Sequence, residues 1–240
     1  MRALALLVVL AACQSEGGDD YPIIPGGDDT TIEPGVDARV IEDGGTADGG
    51  AVVEGRVCLL VDPRNLTSCA TTGAGGLAVV IGTQSTLTLD SGAFTIPTPE
   101  GSNLVWRVTG EGIVPSVMAL TSTNSIPAFT IELYDDLLLA NGIQLDASQG
   151  SIFARILQGG QPLQGAVAAA SPPASFSTFY DGNSLLAWNQ GATGPFGVAW
   201  IPGASAGAAT VTVTPPVGDA VAALVPVEQS SVTFATIVVP

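Results

Sequence analysis

The nine residues Thr88–Ile96 read TLDSGAFTI, and Leu89-Asp90-Ser91-Gly92-Ala93 within them is an order in which an acid hydrolase presents a catalytic aspartate. Such chemistry needs two carboxylates sharing one proton, because neither alone serves as acid and base together. A second Asp should therefore stand in a matching stretch. The nearest echo of Asp90–Pro97 is Ala192–Ala199, with Gly92-Ala93-Phe94 against Gly194-Pro195-Phe196, and it offers Ala192 where Asp90 stands. The same nine residues suit a tight hairpin, in which Asp bonds its own backbone and Gly supplies a positive φ. The turn is the favoured reading. A secreted hydrolase, acid protease or glycan-active, using Asp90 or loop carboxylates is the alternative.

Composition removes most other chemistry. Histidine is absent, which excludes Ser-His-Asp and Cys-His catalysis and every imidazole metal site. Gly203-Ala204-Ser205-Ala206-Gly207 has the Gly-x-Ser-x-Gly form but no His base to activate its serine. There is no Lys for a Ser-x-x-Lys site, and all six cations are Arg. The Asp pairs near the N-terminus lack the Asp-x-Asp-x-Asp-Gly spacing that wraps calcium. Asn65-Leu66-Thr67 has the form of a glycosylation sequon and is expected to be inert. No catalytic residue, metal or cofactor is expected. A net charge of -16 repels phosphate backbones, so nucleic acid is not expected as a partner.

Two constellations remain. Cys58 and Cys69 form an even pair in a chain that reads as exported, which favours a disulfide over two free thiols. The stretch FSTFYDGNSLLAWNQ holds Phe176, Phe179, Tyr180, Asp181, Asn183, Trp188 and Asn189. Aromatics beside Asn and Asp on a loop can stack on a sugar or grip a peptide. In the alternative, which the residues favour, Tyr180 and Trp188 are core or hairpin partners flanking an Asp181-Gly182-Asn183 turn. A glycan or an envelope protein is the kind of partner such a loop would take.

The N-terminus carries an address. Met1-Arg2 is followed by the short apolar run Ala3–Leu10 and then Leu10-Ala11-Ala12-Cys13. A mature span needs about 20 apolar residues, so this run reads as a secretory signal. Leu-Ala-Ala-Cys resembles the bacterial lipobox. That resemblance implies a signal peptide over 1–12, cleavage before Cys13, a diacylglycerol on its sulfur and an acyl chain on its new amine. Several chains anchor firmly, at about 0.8 kcal/mol per buried CH₂, so the membrane is an expected partner through lipid. Gln14 follows, not the Asp that precedent links to inner-membrane retention, and by that analogy the destination is the outer membrane, periplasm-facing or surface-exposed. Residues 13–50 are rich in Gly, Asp, Pro and Thr and read as a disordered acidic tether, spanning on the order of 35 Å.

From Ala51 the text becomes strand-like. Val53, Val57, Leu59 and Val61 alternate with Glu54 and Arg56, and Gly or Pro recurs every eight to twelve residues or so, the pattern of an all-β sandwich of short strands. DDLLLANGIQLD, Asp135–Asp146, is helix-like, with Asp135 or Asp136 as its cap and Gly142 at its end. A second strand-rich block starts at Gly150, where Ile152, Ala154 and Ile156 alternate with Phe153 and Arg155. Later, Thr210, Thr212 and Thr214 alternate with Val211 and Val213, as on a half-exposed strand. The organisation expected is a sandwich over 51–136, a short helical connector over 137–149 and a second sandwich over 150–240.

The blocks echo each other. Gly55-Arg56-Val57 matches Gly150-Ser151-Ile152, and Gly75-Gly76-Leu77-Ala78-Val79 matches Gln164-Gly165-Ala166-Val167. This order of features resembles the carboxypeptidase regulatory-like family of transthyretin-like, Ig-like β-sandwiches. Gly150–Val167 and Ala192–Gly203 follow its pattern well, while the first block departs from it around Leu77-Ala78-Val79. The resemblance implies two tandem sandwich modules without catalytic residues, serving adhesion, folding support or substrate presentation.

Overall fold

The computed structural model describes residues 51–102, 104–119 and 124–240. The expected signal peptide, Cys13 and the expected tether lie outside the described residues. In chain order the strands are β1 (Val52–Leu59), β2 (Ala78–Ile81), β3 (Gln84–Leu87), β4 (Ala93–Pro97), β5 (Val105–Thr109), β6 (Ser116–Ala119) and β7 (Ser125–Ala128). The helix α1 (Ile131–Ala140) follows. Then come β8 (Gln149–Gln158), β9 (Gln161–Pro162), β10 (Val167–Ser171), β11 (Phe179–Tyr180), β12 (Val198–Ser205), β13 (Gly207–Thr214), β14 (Val221–Val227) and β15 (Val232–Val239). The expected all-β sandwich architecture is present.

Strand pairing follows one scheme twice. In the first block β1 pairs β4 antiparallel and β7 parallel, while β5 pairs β2 and β6 antiparallel. In the second block β8 pairs β12 antiparallel and β15 parallel, while β13 pairs β10 and β14 antiparallel. The sequence does not signal what joins them. Strand β15 also pairs β6 in parallel, Val232–Phe234 against Ser116–Met118. One sheet therefore runs β11-β12-β8-β15-β6-β5-β2-β3 through both blocks, with β4-β1-β7 and β10-β13-β14 as the flanking sheets. The two bodies expected from sequence are fused along this seam.

Register explains why the fusion holds. Ile81, Trp106, Met118, Phe234, Phe153, Trp200 and Phe179 are successive cross-strand partners from β2 to β11. All seven belong to one buried cluster with Val57, Phe94 and Ile126 of the first block. Because side chains alternate across a strand, Ile152, Ala154 and Ile156 emerge on the opposite face. There they pack with Val211 and Val213 of the third sheet in a second cluster. The Thr210, Thr212 and Thr214 face points away from that core, as expected. Val61 does not join Val57 and Leu59 inside; it is exposed, since β1 ends at Leu59 and the chain turns into a loop closed by the Leu60–Cys69 bridge.

A threonine clamp sets the turn of each block. Thr88 Oγ1 accepts the Leu77 N–H and donates to the Ala74 carbonyl; Thr193 Oγ1 accepts the Ala166 N–H at 2.9 Å and donates to the Leu163 carbonyl at 2.6 Å. Four residues on, the Gly92 carbonyl accepts from Val57 of β1 and the Gly197 carbonyl accepts from Ile156 of β8. The counterpart of Gly92 is thus Gly197, not Gly194. The sequence match on Gly-x-Phe was three residues out of step. At Leu77 the two blocks are closer to each other than their text suggests, because Gly76 has φ 73° where Gly165 has φ 83°.

The TLDSGAFTI stretch is a turn, closed by a Gly92 N–H to Leu89 carbonyl bond of 2.7 Å. It is not a hairpin: β3 lies in the shared sheet and β4 in the first flanking sheet, so the turn carries the chain from one layer to the other. The helix also differs from expectation. It starts at Ile131, capped by Thr130, whose side chain accepts the Leu133 N–H, so Asp135 and Asp136 sit inside it. Gly142, at φ 65°, ends it as expected. The Gly142 N–H bonds the Leu139 carbonyl and the Ile143 N–H the Leu138 carbonyl, closing the last turn.

Candidate functional site

The loop 181–196 and the disulfide loop 58–69 meet at one end of the shared sheet. Cys58 and Cys69 are bonded, with S–S 2.00 Å and Cα–Cα 4.9 Å. Their loop carries Arg64, which forms a two-pronged pair with Asp62 at 3.0 and 2.8 Å and donates to the Gly182 carbonyl at 3.1 Å. The same guanidinium lies 5.4 Å from the centre of the Phe196 ring, a cation–π distance. The hydrogen bond to Asp62 raises the Arg64 pKa, with Asp181 adding to it. Burial works against ionisation of Asp62, but the hydrogen bonds and charge of Arg64 outweigh it and hold its carboxyl below the ordinary value. Nothing local in the sequence links Arg64 to Gly182.

Asp181 is fully buried. Its Oδ1 accepts the N–H groups of Gly194 at 2.9 Å and Val198 at 2.8 Å, and its Oδ2 accepts that of Phe196 at 2.8 Å. The carboxylate thus serves as the template on which the 194–198 turn is wound, its charge met by three oriented amides. The Tyr180 hydroxyl accepts the Ala168 N–H and donates to the Ala168 carbonyl. Burial raises the Tyr180 pKa. Trp188 is buried, with rings of Phe153 and Trp200 edge-on at 5.8 and 5.9 Å and its indole N–H donating to Leu185. Phe179 packs 5.3 Å from Trp200.

Of the seven residues singled out in FSTFYDGNSLLAWNQ, Phe179, Tyr180, Asp181 and Trp188 are buried, Phe176 is half-buried, and Asn183 and Asn189 are exposed. A ligand stacking on the buried rings would have to displace the core. What the loop does present is a shallow polar depression of about 510 Å³ rimmed by Gln164, Asn183, Ser184 and Asn189. It can offer hydrogen bonds, and Trp188, itself buried, contributes to its lining.

Sequence reasoning missed the residue that ties this loop to the helix. Asn141, the helix C-cap, donates to the Leu137 and Leu186 carbonyls at 2.7 Å each and accepts the Trp188 N–H at 3.0 Å. The Asn141-Gly142 pair signals a helix stop; nothing signals that its amide reaches Leu186. At the other end of α1, the Tyr134 hydroxyl bonds Ser151 at 2.6 Å, and burial pushes its pKa up to about 12.

Asp90 sits in its turn, and the threonine clamp pairs it with Pro195 in the second block, not with a carboxylate. Gly203-Ala204-Ser205-Ala206-Gly207 runs from β12 into β13, strand into strand, not the strand-to-helix turn a nucleophile elbow requires.

No protein-family model matches the chain, and no curated protein matches it. Among solved structures it is similar to the minor pilin GBS52 of Streptococcus agalactiae, at 12% identity and TM-score 0.28 over 79% of this chain and 96% of that one. It is also similar to the Bacillus anthracis TIE protein, at 14% identity and TM-score 0.27 over 68% of this chain and 31% of that one. A shaft pilin, SpaA, of Lactobacillus rhamnosus GG gives 12% identity and TM-score 0.25 over 79% of this chain and 97% of that one.

The disulfide invites a direct measurement. Replacing both cysteines, Cys58→Ser with Cys69→Ser, is expected to lower the unfolding free energy by about 2.8 kcal/mol through the loop-closure effect. Thiol labelling of the unreduced protein should find neither Cys58 nor Cys69.

Proposed function

We propose that this chain is exported, held at the cell envelope by lipid on Cys13, and acts there as a non-catalytic structural or adhesion module. The observation that carries the reading is the Cys58–Cys69 disulfide, a bond of oxidising compartments, in a chain whose first residues read as an export signal. The doubled pairing scheme supports treating 51–136 and 150–240 as two transthyretin-like copies, with α1 beginning inside the first. The two aspartates singled out as catalytic or loop carboxylates do not form a pair. Asp181 is spent on three amides, and Asp90 has Pro195 as its counterpart.

By analogy with the residue after Cys13, the outer membrane is the proposed location, and a glycan or envelope protein the proposed partner class. The test is mass spectrometry of the mature protein from membranes. The expected N-terminal fragment starts at Cys13 and carries the mass of its acyl chains, and Cys13→Ser moves the protein to the soluble fraction. An unacylated soluble protein starting beyond residue 13 would overturn the anchoring.

A further inference from the structure

The geometry points to a docking groove beside α1 for a polypeptide segment in which a lysine or arginine neighbours a large apolar side chain. The groove encloses about 390 Å³. Ile131, Asp135 and Leu138, at i, i+4 and i+7 of the helix, form one wall. Leu145, Asp146, Ile113 and Pro115 continue the lining.

Three observations give the chemistry of the occupant. First, the apolar lining is incompletely covered: Ile131 is 47% exposed. A helix face turned to water is ordinarily polar. Second, the other polar groups at the rim are already bonded. The Tyr134 hydroxyl is held by Ser151, and the Gln149 amide bridges the Asp146 N–H and the Ser175 hydroxyl. Ser230 donates to the Ala147 carbonyl.

Third, among the described residues the side-chain oxygens of Asp135 and Asp146 meet no hydrogen-bond or ion-pair partner. None of the four described arginines reaches them. Arg56 bonds the Ser91 and Ala70 carbonyls, Arg64 pairs with Asp62 and Arg107 with Glu228, while Arg155 borders a different groove. Two carboxylates and several apolar side chains lining one groove match a side chain that is aliphatic along its stem and cationic at its tip, with an apolar neighbour to fill the remaining space. The same carboxylates repel an anionic lipid surface. This inference does not depend on how the chain is anchored.

The experiment is fluorescence anisotropy with the full mature chain and three labelled hexapeptides: Leu-Arg-Leu-Leu-Arg-Leu, Gly-Arg-Gly-Gly-Arg-Gly and Leu-Glu-Leu-Leu-Glu-Leu. Only the first is expected to bind saturably. The pair Asp135→Asn with Asp146→Asn should weaken it about tenfold. An equal charge change elsewhere, Glu100→Gln with Asp219→Asn, should leave it within about twofold. Circular dichroism confirms that both variants keep their strands. The inference is overturned if no peptide saturates, if the glycine peptide binds as tightly, or if both double variants weaken binding equally. The last outcome would assign the effect to the net charge of -16, not to the groove.

Discussion

Asp181→Ala is expected to lower the unfolding free energy by about 3 to 5 kcal/mol in urea titrations, among the largest single-residue effects in the molecule. The substitution removes the acceptors of Gly194, Phe196 and Val198 at once. Each orphaned buried N–H costs about 1 to 3 kcal/mol, partly offset by relaxation and water entry. Asp181→Asn separates charge from shape. It keeps one oxygen for two of the amides but turns an NH₂ group toward the third donor, so about half the loss should remain. Asp90→Ala is the internal control, because that exposed side chain holds no such set of amides, and it should change stability by about 0.5 kcal/mol or less. If Asp181→Ala cost no more than Asp90→Ala, the templating role would be wrong, and the carboxylate would again be a candidate for ligand contact.

The contrast between these two aspartates shows what the sequence could and could not convey. Each is followed within two residues by a Gly, and each reads as a turn residue. Local text marks a turn because the turn is local: Gly92 and Gly142 were legible from the conformations they permit. Alternation was equally legible in β8 and β13, where Ile152, Ala154 and Ile156 or Val211 and Val213 fill one face. Non-local geometry was not. Asp181 reaches amides 13 to 17 residues away, and Arg64 reaches a carbonyl 118 residues away.

Even the internal echo misleads at two points: hydrogen bonding places Val57 opposite Ile156, not Ile152, and Phe is conspicuous where Thr is not. The match was drawn through Phe94 and Phe196, whereas hydrogen bonding places Thr88 opposite Thr193. The helix start differs from expectation for a related reason. Asp135-Asp136 looked like a cap, yet Thr130 holds that place, and its role depends on a single side-chain bond to Leu133. The Cys pair is readable because, of three cysteines, setting Cys13 aside for lipid leaves one connectivity.

The seam between the blocks has its own consequence, and Phe153→Ala tests it. Phe153 sits in the second block, yet its ring lies 4.9 Å from Phe129 of the first, 5.9 Å from Phe234 and 5.6 Å from Trp200. Truncating a buried Phe costs about 3 to 5 kcal/mol, with the cavity adding to the lost transfer energy. Separate sandwiches would confine that loss to β8, β12 and their neighbours, leaving protection in the first block unchanged. A row of side chains running unbroken from Ile81 to Phe179 predicts otherwise: both blocks should open as one cooperative unit. Native-state hydrogen exchange reads this directly. Amides of β5, which never touch Phe153 in sequence, should lose protection in step with those of β12. Undiminished protection of Trp106 and Val108 alongside a weakened β12 would mean that the β6–β15 pairing joins two bodies without coupling them.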